Sequence, residues 1–261
     1  MPLSPPLPWP LIVASLLVVF AAGIVRGFSG FGFSALCVAG LSLFATPAQV
    51  VPPIFMLEVL ASISLLRGAL KDVDWPWLSW LALGNALFIP LGILVLAFVP
   101  EMPLRLLIGA LLLLAAVLLR GGFHLALAPT RTVRLATGLV SGFVNGVAAI
   151  GGIAVAVLLS TAQMAPAAMR ATMIMLFLFT DLYALAWAAW VSAGAEAGQA
   201  LLGTDTLNWA VWLAPAMLAG IWVGQRFFTG VSPAQFRRQV LNLLILVALI
   251  SVLRALFGLN A

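Results

Sequence analysis

Apolar runs of bilayer length dominate this chain, and they leave few folds open to it. Six are continuous: approximately Val50 to Leu66, Trp77 to Val99, Leu104 to Leu119, Pro166 to Val191, Leu207 to Val223 and Val240 to Phe257. A hydrocarbon core about 30 Å thick takes roughly 20 helical residues to cross, so each run is a candidate transmembrane span. The runs do not alternate with period two as barrel strands do. In lipid a backbone must satisfy its own hydrogen bonds, so the expected structure is an all-α, polytopic integral membrane protein. The charge content agrees: only 7% of the 261 residues are charged, too few to coat a water-soluble domain of this size.

Two further stretches, 11–44 and 133–160, are apolar but interrupted near the middle by glycine clusters. These are Gly27, Gly30 and Gly32 in the first and Gly142, Gly146, Gly151 and Gly152 in the second. The second leaves about a dozen residues on each side of its break, too few for two full crossings. Each stretch is expected to form a hairpin of two helices, either re-entrant or fully spanning. Residues 1–10 hold five prolines and no Lys or Arg, so the basic region of a cleaved signal is missing and Leu11 to Val25 is read as part of the mature protein.

The formal charge of +5 does not mark a nucleic-acid partner. Arg67, Lys71, Arg120, Arg131, Arg134, Arg226, Arg237 and Arg238 are scattered through short joints between apolar runs, which is a topology signal. Placing the joints 67–75, 120–134 and 225–238 on one side collects eight of the twelve Lys and Arg residues there and leaves Glu101, Glu196 and Asp205 opposite. That side is expected to be the cytoplasm. The first hairpin then begins and ends outside and the second begins and ends inside, so the two halves of the chain run in opposite senses.

An internal repeat points the same way. Gly23-x-x-x-Gly27-Phe28 recurs 115 residues later as Gly138-x-x-x-Gly142-Phe143, and the same offset aligns Leu43 with Leu158 and Thr46 with Thr161. Pro103 and Pro233, each opening a final apolar helix, match at a larger offset. The division is therefore into residues 1–130 and 131–261, each a glycine-broken hairpin followed by three spans. Inverted repeats whose broken helices meet near the midplane are the architecture of secondary transporters.

The motifs Gly27-Phe28-Ser29-Gly30-Phe31-Gly32-Phe33 and Ser141-Gly142-Phe143-Val144-Asn145-Gly146, the latter followed by Gly151-Gly152, each lead into a Thr/Pro/Ala-rich joint and a span. In this duplicated pattern, from about residue 10 to 257, the chain resembles the TauE/SafE family of sulfite and organosulfonate exporters. The resemblance implies a multi-pass bacterial inner-membrane permease of two homologous halves. Phe31-Gly32-Phe33-Ser34 departs from the Gly-x-Gly-Gly core common in the family's first hairpin.

Charges within apolar runs are costly, which makes each a candidate for function. Arg26 stands beside Gly27, Ser29, Gly30 and Gly32, where backbone N–H groups, a helix N-terminus and a guanidinium could together cradle an oxyanion. The alternatives are a snorkelling side chain or one paired with an acid. Ser141 is its counterpart at the 115-residue offset, and Asn145 and Gly146 complete the candidate substrate site; capping the break is an equal role for Asn145. Asp181 and Glu58 are the acids deepest in long spans and the candidates for proton coupling, Asp181 ahead of Glu58, with structural ion pairing as the alternative for both. Arg170, near the start of its span, reads as snorkelling. Asn85 and Gln225 read as packing polar groups between helices. His124 reads as a solvated or headgroup-facing imidazole and Cys37 as a small core residue.

No metal-ligand cluster, nucleotide-binding loop or nucleophile elbow is visible, so neither cofactor nor enzymatic activity is expected and a gradient or a partner protein must supply the energy. The sequence thus points to a secondary transporter of a small anion, exporting sulfite or an organosulfonate with proton coupling. The competing reading is an intramembrane binding or assembly component without a transport cycle. The partners expected are the anion and the lipid bilayer, and the sequence leaves a homo-oligomer open.

Overall fold

The computed structural model describes residues 8–120, 130–161, 164–194 and 200–227. Nine α-helices make up the described chain: α1 (Trp9–Ser29), α2 (Phe33–Leu41), α3 (Pro47–Ala69), α4 (Trp75–Phe98), α5 (Glu101–Arg120), α6 (Arg131–Ala148), α7 (Gly152–Thr161), α8 (Pro166–Ala193) and α9 (Thr204–Phe227). Five of them, α1, α3, α4, α8 and α9, are long and apolar enough to cross a membrane. The protein is a multi-pass helical membrane protein. The expected span 240–257, with Pro233, Arg237, Arg238, Glu196 and His124, lies outside the described residues.

Local chemistry sets the helix ends. Thr46 and Gln49 close a capping box at the start of α3, with Pro47 in its first turn. Asp74 accepts from the Trp77 N–H at 3.1 Å and caps α4, while its own N–H donates to Thr172 Oγ1 on α8 at 3.0 Å. The α3–α4 joint is thereby tied to the beginning of α8, and α3 and α8 pass each other in opposite directions.

The glycine-interrupted stretches do form helical hairpins, but with unequal arms rather than breaks near the middle. α1 has 21 residues against 9 in α2, and α6 has 18 against 10 in α7. At 1.5 Å per residue the short arms reach about 15 Å, half the thickness of a hydrocarbon core. The breaks fall late because most of the glycines do not break anything. Gly23 and Gly27 remain inside α1 and meet α9, and Gly138, Gly142 and Gly146 remain inside α6 and meet α4. A Cβ on Gly142 would stand 2.7 Å from Asn85 Cα, and one on Gly23 would stand 2.6 Å from the Met217 carbonyl oxygen. Small residues at four-residue spacing let two helix backbones touch, a packing mode suited to a bilayer where apolar burial alone does not drive association.

The two seams have the same form. Along the first, Trp9 meets Trp212 and Gly27 meets Ile221, so α1 and α9 run in the same direction. Along the second, Gly84 meets Gly138 and Gly92 meets Gly146, so α4 and α6 also run in the same direction. Outward faces stay apolar: Leu83, Leu87 and Leu91 line one exposed stripe of α4, as expected for a surface bathed in lipid.

Candidate functional site

The two breaks have related but different chemistry. α1 ends on Gly30 in the left-handed region (φ 81°), its N–H bonded to the Arg26 carbonyl at 2.9 Å, and Gly32 (φ 89°) opens α2. α6 ends on a non-glycine in the same region, Ala149 (φ 57°), whose N–H bonds to the Asn145 carbonyl at 2.7 Å. The glycines expected to make the second break, Gly151 and Gly152, sit after this turn. They are needed for space, since a Cβ on Gly152 would enter the Phe177 ring and one on Gly151 would meet the Ser141 carbonyl.

These breaks align at a spacing different from that of the sequence repeat. Gly30 and Ala149, Phe33 and Gly152, and Pro47 and Pro166 are each 119 residues apart. At this spacing the position matching Arg26 is Asn145, one helical turn beyond the Ser141 that the 115-residue sequence offset matches. Glycines repeating every four residues explain the slip: Gly23 and Gly27 superpose equally well on Gly138 and Gly142 or on Gly142 and Gly146.

At the first break Arg26 is fully buried and makes two hydrogen bonds and one ion pair. Nη1 donates to the Gly30 carbonyl at 2.6 Å, and Nη2 donates to Ser62 Oγ at 2.9 Å and lies 3.0 Å from Glu58 Oε2. The guanidinium also rests over the Phe177 ring, 4.5 Å from its centroid. Glu58, buried on α3, receives on Oε1 the Ser34 hydroxyl and, at 3.3 Å, the Ser34 N–H. At the second break Asn145 Nδ2 donates to Asp181 Oδ1 at 2.9 Å, and Asp181 Oδ2 has no hydrogen-bond partner among the described residues. Phe177 touches both breaks, and Asp181 lies within electrostatic reach of both Glu58 and Arg26.

Arg26, Glu58, Asn145 and Asp181 are thus gathered in the interior. Of the other expected site residues, Ser29 turns back on its own backbone, bonding the Val25 and Phe31 carbonyls at 2.7 and 2.8 Å. Gly27 and Gly146 face α9 and α4 rather than a ligand, because their missing side chains are what let those helices approach. Ser141 donates to Asn85 Oδ1 at 3.1 Å in the α4–α6 seam, where Asn85 also bonds the Leu81 carbonyl. Arg170 does not reach out of the bundle: Nη2 donates to the Gly27 carbonyl at 2.8 Å, and its stem lies where a Cβ on Gly30 would go. Sequence reasoning gave no role to Ser34, Ser62 or Phe177 and read Arg170 as snorkelling, where the structure turns it inward. Ser62 is four residues from Glu58 and Phe177 four from Asp181, so helical periodicity placed each on the face of a residue already singled out.

A buried guanidinium whose partners are one carboxylate, one hydroxyl and one carbonyl is suited to exchanging oxygen ligands, while the lone oxygen of Asp181 is suited to taking a proton. The described residues hold no group of three or more His, Cys, Asp or Glu side chains fit to cage a metal. Compared with known proteins, the chain matches the family model described as "Sulfite exporter TauE/SafE" over residues 15–250. No curated protein and no solved structure matches the chain.

Proposed function

The chain belongs to the TauE/SafE sulfite exporter family, a family of membrane transporters, and on that premise we propose that it is a proton-coupled secondary permease for a small oxyanion. Sulfite or an organosulfonate is the cargo, and export across the bacterial inner membrane is the direction. The observation that carries this reading is the meeting of two helix breaks in the bundle interior around Arg26, Glu58, Asn145 and Asp181. Substrate sites of secondary transporters are built from interrupted helices that meet in this way.

Two inverted repeats, residues 1–130 and 131–261, organise the permease in this proposal. Support comes from the constant 119-residue spacing of the breaks, from the paired glycine seams and from the antiparallel passage of α3 and α8. Arg26 is the anion-binding group, with Asn145 facing it from the other half. Glu58 and Asp181 carry the proton, Asp181 passing it on from the second break.

The test is flux of labelled sulfite and of an organosulfonate into proteoliposomes under imposed pH and voltage gradients. Saturable flux that responds to the pH gradient is expected. Binding without flux would favour the second reading, an intramembrane binding or assembly component.

A further inference from the structure

The Glu58 carboxylate is held as a bound oxyanion would be. One oxygen takes the hydroxyl and the N–H of Ser34 in the first turn of α2, and the other lies 3.0 Å from Arg26 Nη2. A hydroxyl, a backbone N–H at a helix N-terminus and a guanidinium are the donors that recognise sulfonate, sulfite or carboxylate. Arg26 is otherwise partly engaged: Nη1 donates to the Gly30 carbonyl, Nη2 is shared with Ser62 and the guanidinium face rests on Phe177, while the buried Nε has no hydrogen-bond partner among the described residues. Arg26 is fully buried, and so is Glu58. The Ser34 hydroxyl and N–H and the Nη2 side of Arg26 are all taken by Glu58, so an incoming anion reaches this set of donors by taking its place.

Charge decides the form in which Glu58 leaves. The groups around it are Arg26 on α1, Cys37 on α2 and Asp181 on α8, and Arg170 on α8 stands close enough to Arg26 to feel its charge. The other helices packed on α3 carry their described charges in end turns: Asp74 on the edge of α4, Glu101 and Arg105 on α5, Arg131 and Arg134 on α6, Asp205 and Arg226 on α9. Two guanidinium groups and two carboxylates balance in the empty site. A bound oxyanion adds one negative charge in a region where an unpaired charge is costly, and one proton removes it.

We propose that Glu58 is a built-in competitor for the transported oxyanion, filling the anion site of the empty carrier and yielding it as the neutral acid, so that each anion bound brings one proton. The proton comes from water on the side to which the site is open. It binds the carboxylate oxygen released from Arg26 and returns to water when the anion leaves and the ion pair re-forms. This inference rests on the reading of the protein as an oxyanion carrier.

Binding of methanesulfonate, whose charge is fixed, and of sulfite to the purified protein in detergent tests it. For the wild type the methanesulfonate Kd should rise by up to about tenfold per pH unit from about pH 6 to about pH 8, the limit for one coupled proton. A pH-indicator dye should report uptake of about one proton per anion bound. Glu58→Gln keeps the shape but removes the competing charge, so it should bind at least about tenfold tighter at high pH, with no pH slope and no proton uptake. Adding Arg26→Gln to Glu58→Gln should abolish binding. Wild-type binding without proton uptake overturns the inference while leaving the carrier reading intact, whether or not Glu58→Gln folds. A folded Glu58→Gln with unchanged affinity and pH slope also overturns it. If neither anion binds the wild type at any pH, the carrier reading falls and the inference falls with it.

Discussion

Asn145 donates to Asp181 across 36 residues of sequence, the same separation that divides Arg26 from Ser62. In both halves a side chain in the last turn of a broken helix reaches the middle of the next span. The charge, however, sits on the donor in the first half and on the acceptor in the second. Arg26 is balanced within its own half by Glu58, whereas Asp181 meets only a neutral amide at the second break. Asp181→Asn should keep the fold, since an amide oxygen still accepts from Asn145, and should leave anion binding in place. It should also stop flux driven by a pH gradient, because no carboxylate on α8 remains to pass the proton. Acidification of proteoliposomes containing the variant reads this out, and unchanged gradient-driven flux would remove Asp181 from the coupling path.

The Arg26–Glu58 pair predicts an asymmetric pattern of stability. Arg26→Ala leaves a buried carboxylate without its cation, at a cost of about 3 to 5 kcal/mol. Arg26→Lys keeps the charge but cannot reach Gly30, Ser62 and Glu58 together, so it should be destabilised by a smaller amount, about 1.5 to 3 kcal/mol. Adding Glu58→Gln to Arg26→Ala should recover a large part of the loss. Thermal unfolding of the wild type, Arg26→Ala, Glu58→Gln and the double variant forms a double-mutant cycle, and simple additivity of the two changes would deny the buried pair.

The glycine seams separate two uses of the same residue. A side chain at Gly84 would stand 2.7 Å from the Gly138 carbonyl carbon, so Gly84→Leu should force α4 from α6 and cost about 1 to 3 kcal/mol or prevent assembly. Gly68, near the end of α3, has nothing within 4 Å of the place its Cβ would take. Gly68→Ala should therefore be neutral or stabilising by about 0.5 to 1 kcal/mol through helix propensity. Equal effects at the two positions, measured as melting temperatures in one detergent, would contradict the seam.

Much of the fold was legible because a bilayer imposes length and hydropathy on any chain that crosses it. The runs 50–66, 77–99, 104–119, 166–191 and 207–223 correspond to α3, α4, α5, α8 and α9, with ends shifted by a few residues. The deep charges were equally legible, since Arg26, Glu58 and Asp181 have no inexpensive place in an apolar run. Glycine was harder to read. The same residue breaks a helix at Gly30, opens one at Gly32 and packs inside one at Gly27, and only tertiary contact distinguishes these roles. Partner choice was illegible for a related reason: Arg26 reaches Glu58 with a long side chain between α1 and α3, both of which pack on α2, and Arg170 was drawn inward by a carbonyl of α1 that no local pattern reveals.

The proposed inverted arrangement predicts which surface residues share a side. Lys71 follows α3 and is exposed, whereas Glu101 opens α5 at the other end of α4 and is also exposed. Single cysteines at these positions, in a background with Cys37 replaced, should label from opposite faces of the membrane. The position at Lys71 should be reached only from the cytoplasm. Labelling of both positions from outside intact cells would sink the inverted arrangement.

Ala149 offers a test that touches no charge. It is the one non-glycine residue with positive φ among those described, and it caps α6 where Gly30 caps α1. An L-residue in this region is strained by about 1 to 2 kcal/mol because its Cβ crowds the following carbonyl. Glycine removes that crowding but gains freedom in the unfolded chain, which offsets about 0.4 to 1 kcal/mol. Ala149→Gly should therefore stabilise the protein by up to about 1 kcal/mol, visible as a melting temperature a few degrees higher. The same substitution at Ala148, one residue earlier and helical, should instead lower it, since glycine in a helix costs about 0.5 to 1 kcal/mol relative to alanine. A fall in melting temperature at both positions would mean that α6 continues through residue 149, and with that the second helix break would move away from Asn145.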